Sequence, residues 1–258
     1  MMTTYKLNSE SKLWRFIPVL NASGHLQMAI DHWLFQQHQQ GKHPSTLRFY
    51  LWESPTLSLG YHQKHWPEHW QQLIWQNQSL ELVRRPTGGR AVLHQGDLTY
   101  AVITSQLPEN PRIAYQTLCQ FLIEAWRSLG LELHYGTTGR GYIHNPNCFA
   151  TATAADLILS DGTKLIGSAQ LRGNGVILQH GSIRLTPDAE LFRQVFDVEM
   201  PAPILTSIAS PETLIPTVID ALTMAARECF GGEWVVEPLS DTELETIERE
   251  YSGNWNVN

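Results

Sequence analysis

The amino-acid sequence predicts one α/β domain over residues 1–258, in which residues 187–258 form a mostly helical C-terminal appendage rather than a full accessory domain. Three observations point there. Apolar residues alternate with a period of two in some stretches and recur at helical spacing in others, and the two kinds interleave along the chain. Hydrophobic residues make up 42% of the 258, enough for a chain of this length to bury an ordinary core without disulfides or a structural metal. Finally, no internal repeat, heptad pattern or low-complexity linker divides it.

The elements follow in order. Residues 13–19 are extended, and Asn21 and Ser23 offer the start of a helix over 26–37, where Leu26, Ala29, Ile30, Trp33 and Leu34 share a face. Pro55 separates an aromatic-rich strand at 47–52 from an extended run at 56–60. Residues 67–75 suit a short amphipathic helix, with Pro67 and Glu68 both favourable in its first turn. A strand at 80–84 breaks at Pro86 and Gly88-Gly89, resumes at 91–94, and is followed by another at 98–104. An interrupted strand between regular ones is a loop on a rigid platform, where binding groups are often placed.

Residues 115–129 carry the stripe Leu118, Phe121, Leu122, Ala125 and Leu129, and Gly130 stops that helix. Cys119 lies beside the stripe and is expected to be packed. Residues 131–135 are extended and 136–154 irregular. Strands at 155–159 and 164–170 pair across a turn containing Asp161-Gly162, whose residues tolerate positive φ. A turn at 173–175 leads into a strand at 176–185. Beyond Pro187 come a short helix at 191–196, a helix at 215–230 starting near Thr213 or Pro216, an edge strand at 234–237 and an acidic helix at 241–251.

A formal charge of −7 argues against nonspecific binding to nucleic acid. Residues 1–12 lack the basic and apolar runs of a secretory signal, and no stretch approaches 18 uninterrupted apolar residues. Cys119, Cys148 and Cys229 lie far apart without a closely spaced Cys/His set. These features predict a cytoplasmic protein with reduced thiols and neither a nucleic-acid nor a membrane partner.

Three constellations can carry chemistry. In Arg84-Arg85-Pro86-Thr87-Gly88-Gly89-Arg90, two glycines permit close approach of backbone to a ligand, and guanidinium groups can meet a phosphate or carboxylate. The plainer possibility is a surface turn with solvated arginines. Cys148 stands in an irregular, small-residue loop, where it is either a nucleophile or an inert, partly buried thiol. A thiol titrating near its ordinary value of about 8.5 needs a cation or base to attack at neutral pH, and Lys164 or His94 could supply it. Lys164 follows a turn, a usual place for a solvated lysine, but Gly167-Ser168-Ala169 beyond it would let a substrate lie against the strand. His180 could position such a substrate or be a satisfied structural histidine. Neither His94 nor His180 has a metal-ligand spacing.

Together these blocks resemble the lipoate/octanoate protein transferase and ligase family, which shares its fold with biotin protein ligases. The resemblance runs from about residue 14 to 185 through Leu57-Ser58-Leu59-Gly60-Tyr61-His62-Gln63, the Arg84–His94 block, Asp97-Leu98-Thr99-Tyr100, Cys148-Phe149 and Lys164-Leu165-Ile166-Gly167-Ser168-Ala169-Gln170. It implies a biotin/lipoyl protein ligase catalytic-domain fold, with a mixed β-sheet and packed helices, like the class II aminoacyl-tRNA synthetase and biotin synthetase catalytic core. Within the family the chain is most similar to the cysteine-bearing, LipM-type octanoyltransferases. Ligases usually read GGGAV where this chain has Gly88-Gly89-Arg90-Ala91-Val92, and many carry an accessory domain for which the tail after Arg184 is short. The family often has Glu where Asp97 stands, which keeps the acid but shortens its reach.

The resemblance implies transfer of an octanoyl group from octanoyl-acyl carrier protein to a lysine of the glycine-cleavage H protein or another lipoyl domain. Cys148 would be the nucleophile, and Lys164 would contact the acyl carbonyl region. Arg85, Gly88, Gly89 and His94 would line the acyl or acyl-pantetheine channel, with Arg90, Gly167, Ser168, Ala169 and His180 as further binding candidates. No cofactor is expected for this transfer. ATP and Mg enter only if the chain is instead a lipoate-protein ligase. A lipoyl or octanoyl amidotransferase and a noncatalytic acyl-protein-binding module also stay open on the sequence.

Overall fold

The computed structural model describes residues 12–136, 156–199, 205, 207–255 and 257. Its strands are β1 (Leu13–Ala22), β2 (Ser45–Trp52), β3 (Thr56–Leu59), β4 (Ile74–Trp75), β5 (Gln78–Ser79), β6 (Glu81–Arg84), β7 (Val92–His94), β8 (Asp97–Ser105), β9 (His134–Tyr135), β10 (Asp156–Ile158), β11 (Lys164–Gly173), β12 (Val176–Arg184) and β13 (Glu233–Val236). The helices are α1 (Gly24–Gln39), α2 (Pro111–Ser128), α3 (Ala189–Phe196), α4 (Pro211–Phe230) and α5 (Asp241–Tyr251).

An eight-stranded mixed sheet runs in the order β13-β1-β2-β8-β12-β11-β10-β9. The strands β13, β1 and β2 are parallel, and all later neighbours are antiparallel. Both faces of its centre are covered, which is why β8 is buried along nearly its whole length and carries the apolar run Tyr100-Ala101-Val102-Ile103. Leu98, Tyr100 and Val102 pack with α2 and α4, whereas Ala101 and Ile103 pack with α1 and Ile247 of α5. That split follows from the two-residue period of a strand. The predicted α/β class and ligase-type mixed sheet are both present.

Strong periodicity located elements well, and the boundaries moved for local reasons. Asn110 caps α2 by accepting from the N–H groups of Arg112 and Ile113, and Pro111 fits the first turn, so the helix begins four residues before the stripe suggests. The C-terminal segment contributes β13 to the sheet edge through parallel pairing with β1. The helix expected at 67–75 shrinks to a 3-10 turn at Glu68–Gln72. Trp70 alone is buried there, donating its indole N–H to Val195 O at 2.7 Å. The following residues instead make the β4–β5 hairpin around Gln76 and Asn77, both at positive φ. This hairpin escaped the sequence reading because its turn lacks the Asn-Gly or Asp-Gly signature.

A second sheet, β6-β3-β7, carries much of the site. β6 runs parallel and β7 antiparallel to β3, so the two halves of the interrupted strand flank β3 rather than continue each other. Residues 85–91 form the connection over its end.

Candidate active site

The second sheet and the face formed by β11 and β12 border an open pocket. Met28, Tyr50, Trp52 and Val92 supply apolar wall, and Gly167, Ser168, Ala169 and Gly181 supply a floor of small residues. The floor is small for a steric reason. A Cβ on Gly181 would stand 2.6 Å from Ser168 Oγ and 2.8 Å from Gly167 O, where no side chain fits without backbone movement.

The glycine loop is fixed by equally close packing. A Cβ on Gly60 would lie 1.9 Å from Gly89 O, while Gly89 itself sits at φ +100. Main-chain bonds from Arg85 N to Leu59 O and from Tyr61 N to Thr87 O tie the loop to β3. Arg85 is buried, and its guanidinium donates to the carbonyls of Ser58, Gly88 and Arg90 and to Ser58 Oγ. The solvated-arginine possibility is thus wrong for Arg85, which braces the pocket wall with these donors. Arg90 is half-buried and does not line the pocket.

Two histidine chains enter the pocket. Ser58 Oγ lies 2.8 Å from His94 Nε2, and His94 Nδ1 lies 2.8 Å from Asp97 Oδ2. Thr99 and Ser182 also donate to that carboxylate oxygen, and the His94 ring stacks on Trp52 at 3.8 Å. Burial pushes the His94 imidazole below its usual titration range. Asp97 opposes that shift, whereas Arg85 and His180 reinforce it. In the second chain, Thr87 Oγ1 lies 2.6 Å from His180 Nε2, and His180 Nδ1 lies 2.8 Å from Asp31 Oδ2. Asp31 is held in turn by Arg48 and Tyr50, so this chain locks the glycine loop to α1 and β2.

Lys164 is not the solvated side chain that a place beside a turn usually gives. It is 5% exposed, and its Nζ lies 2.8 Å from Asp156 Oδ1 as an ion pair. It does not line the pocket directly but stands behind the floor, with Nζ 3.2 Å from where a Cβ of Gly167 would be. Pairing of Asp156 with Gly167 across β10 and β11 sets this arrangement. Cys148 lies outside the described residues. Cys119 is packed, as expected, and burial raises its thiol to about 12, so it is no nucleophile at neutral pH.

The structure therefore gathers Arg85, Gly88, Gly89, His94, Gly167, Ser168, Ala169 and His180 around one pocket. The sequence reading missed Ser58, Asp156 and the Asp31 chain. A signal did exist for part of it: His94-Gln95-Gly96-Asp97 is a tight turn, with Gly96 at φ +66, that returns Asp97 to His94. Ser58 had none, because its partner is chosen by the register of β3 with β7. Among the described residues no cluster of three His, Cys, Asp or Glu side chains could hold a metal ion, and no helix is long and apolar enough to cross a membrane.

Comparison with known proteins places the same blocks in a wider set. The profile of the lipoyl protein ligase A/B catalytic domain matches residues 23–223. An octanoyltransferase LipM of Anoxybacillus flavithermus is 41% identical, over 72% of this chain and 70% of that protein. One from Brevibacillus brevis is 33% identical, over 95% and 98%. Among solved structures, a putative lipoate protein ligase from T. acidophilum with bound lipoic acid superposes with a TM-score of 0.74 at 22% identity, covering 95% of each chain. A lipoate-protein ligase A bound with ATP gives 0.71 at 21% identity, over 95% of this chain and 94% of that one. At these identities the solved structures establish the fold.

Proposed function

The chain belongs to the lipoyl protein ligase A/B catalytic-domain family, and from that premise we propose how it performs octanoyl transfer. It is an octanoyltransferase of lipoate biosynthesis, acting on a lipoyl-domain protein. In our reading the donor is octanoyl-acyl carrier protein, the acceptor is the lysine of the glycine-cleavage H protein, and Cys148 carries the acyl group between them. The observation that carries the reading is the match to an octanoyltransferase across 95% of the chain. The apolar pocket with its small-residue floor supports it, because a saturated chain gains about 0.8 kcal/mol per buried methylene and needs no polar partner along its length.

The chemistry divides one acyl transfer into two. A Cys148 thiolate attacks the donor thioester, the pantetheine thiol leaves, and the lysine amine then takes the acyl group as an amide. The donor brings its own activation, so no ATP is consumed. In the same reading Lys164, which pairs with Asp156 behind Gly167, polarises the carbonyl as its oxygen gains charge. The reading puts the protein in the cytoplasm with that donor.

The test is intact-mass detection of an octanoyl adduct after mixing with octanoyl-acyl carrier protein in the absence of ATP, for the parent and Cys148→Ser. The parent gains one octanoyl group on Cys148, and the folded variant forms no stable adduct. A thioester at another site in the variant, or transfer that requires free octanoate and ATP through an acyl adenylate, overturns the reading.

A further inference from the structure

The chain carries a net charge of −7, so an acidic macromolecule meets repulsion over the surface as a whole and docks only against a local basic patch. Two segments that converge at the mouth of the pocket, residues 57–67 and 82–96, contain no Asp or Glu. Their meeting is fixed by Tyr61 N, which donates to Thr87 O at 2.8 Å, and by the close approach of Gly60 to Gly89 O. Arg84 gathers the first segment around its side chain. Its Nη1 donates to Gln63 O at 2.8 Å and to Gly60 O at 3.0 Å, and its guanidinium lies 5.7 Å from the Trp66 ring. Tyr61, His62, Lys64 and His65 are thereby left exposed beside the glycine loop, whose Gly88 and Gly89 line the pocket. Among the described residues neither Lys64 nor Arg84 pairs with a carboxylate.

We propose that this rim, with Lys64 and Arg84 as its cations, is the docking surface for the acidic carrier protein that delivers the octanoyl thioester. The inference rests on the octanoyl-acyl carrier protein donor proposed above. A carrier protein holds its thioester on a pantetheine arm joined through a phosphodiester, so the arm enters a pocket while an anion and the acidic carrier body stay at its mouth. Lys64 and Arg84 stand beside the glycines of that mouth. Arg84 Nη2 and Nε donate to no described residue, which leaves part of the guanidinium fork open to a phosphate. The acceptor suits the rim less well. The group it must bring is a lysine, an ammonium ion at pH 7 with an ordinary pKa of about 10.4, which cations at the mouth repel. The main-chain bonds to Arg84 hold residues 60–63 in place before a partner arrives, so docking orders little. A charged rim of this kind acts on encounter and partner choice rather than on the chemical step.

The experiment compares donors with and without the carrier body. With H protein saturating, kcat/KM is measured for octanoyl-acyl carrier protein, octanoyl-phosphopantetheine and octanoyl-pantetheine. Lys64→Glu should lower kcat/KM for the carrier donor about tenfold or more, the range that electrostatic steering covers, chiefly through KM. Both small donors should stay near parental. His65→Glu, which plants an acid beside Lys64, should act in the same direction. Lys42→Glu makes the same change of net charge at an exposed site past the C-terminal end of α1, and should leave every donor unaffected. Raising salt from about 0.1 M to about 1 M shortens the screening length from about 10 Å to about 3 Å, so the gap between the parent and Lys64→Glu should close. The KM for H protein, measured with octanoyl-pantetheine, should be equal in the two. Circular dichroism verifies the fold of each variant. A parental carrier-donor kcat/KM in folded Lys64→Glu and His65→Glu overturns the proposal, as does an equal effect of Lys42→Glu. So does an equal loss with free octanoyl-phosphopantetheine, where the rim reads a phosphate alone, or a raised KM for H protein, where it belongs to the acceptor. Failure of the parent to use octanoyl-acyl carrier protein without ATP overturns the reading beneath it, and is seen before any variant is made.

Discussion

Asp156→Ala should destabilise the protein far more than loss of a surface ion pair, and the size follows from its place behind the pocket floor. Lys164 and Asp156 are only 4% and 5% exposed at the side chain, and the pair lies at 2.8 Å. An exposed pair is worth about 0–1 kcal/mol, but removing one partner of a buried pair takes an ion-pair partner from the remaining charge and costs about 3–5 kcal/mol. With a urea dependence of about 3 kcal/mol per M, at the upper end for single domains, the unfolding midpoint should fall by about 1–2 M. Tryptophan fluorescence reports it, since nine tryptophans are present. The double variant Asp156→Ala/Lys164→Met removes both charges and should regain most of the loss, because replacing a whole buried pair with apolar groups is close to neutral. Asp156→Asn keeps the shape and should fall between the parent and Asp156→Ala. A double variant no more stable than Asp156→Ala, or a single-variant loss below about 1 kcal/mol, would refute the reasoning.

Other consequences are separable. Glu81 caps α1 by accepting from the backbone N–H groups of Gly24 and His25. Burial raises its titration, but bonds from the His25 side chain, these N–H groups and Thr56 outweigh that and hold it at about 2. Its carboxylate therefore stabilises the fold above the unfolded value of about 4.3, and that contribution is lost as pH falls toward 2. Glu81→Gln should cost about 1–2 kcal/mol at pH 7 and converge with the parent at pH 2 in pH-dependent unfolding. Gly60→Ala drives a Cβ into Gly89 O and must displace the glycine loop, so single-turnover octanoyl transfer should drop at least tenfold; a parental rate would show that the loop is not required where it lies. Cys119, with its thiol raised to about 12, should resist iodoacetamide at pH 8 in the folded protein and react once urea unfolds it, as followed by peptide mass.

The sequence by itself determined what short-range patterns encode. The apolar stripe of α2, the acidic α5, the Asp161-Gly162 turn before β11 and the strand β12 all appear at or near their expected positions. The ordered blocks from Leu57 to Gln170 also identified the family. What tertiary structure alone decided was register and burial. Parallel pairing of β3 with β6 and antiparallel pairing with β7 placed both halves of an interrupted strand on one neighbour, and the second pairing set Ser58 against His94. Lys164 looked solvated beside its turn, yet pairing of β10 with β11 and the missing side chain of Gly167 drew it inward against Asp156. The helical pattern at 67–75 yielded to a single buried Trp70 and a hairpin. Local propensity fixes the conformation of neighbours in sequence, whereas these contacts depend on which distant strand supplies the other half of a hydrogen-bond ladder, and a one-residue shift there would turn every side chain to the opposite face.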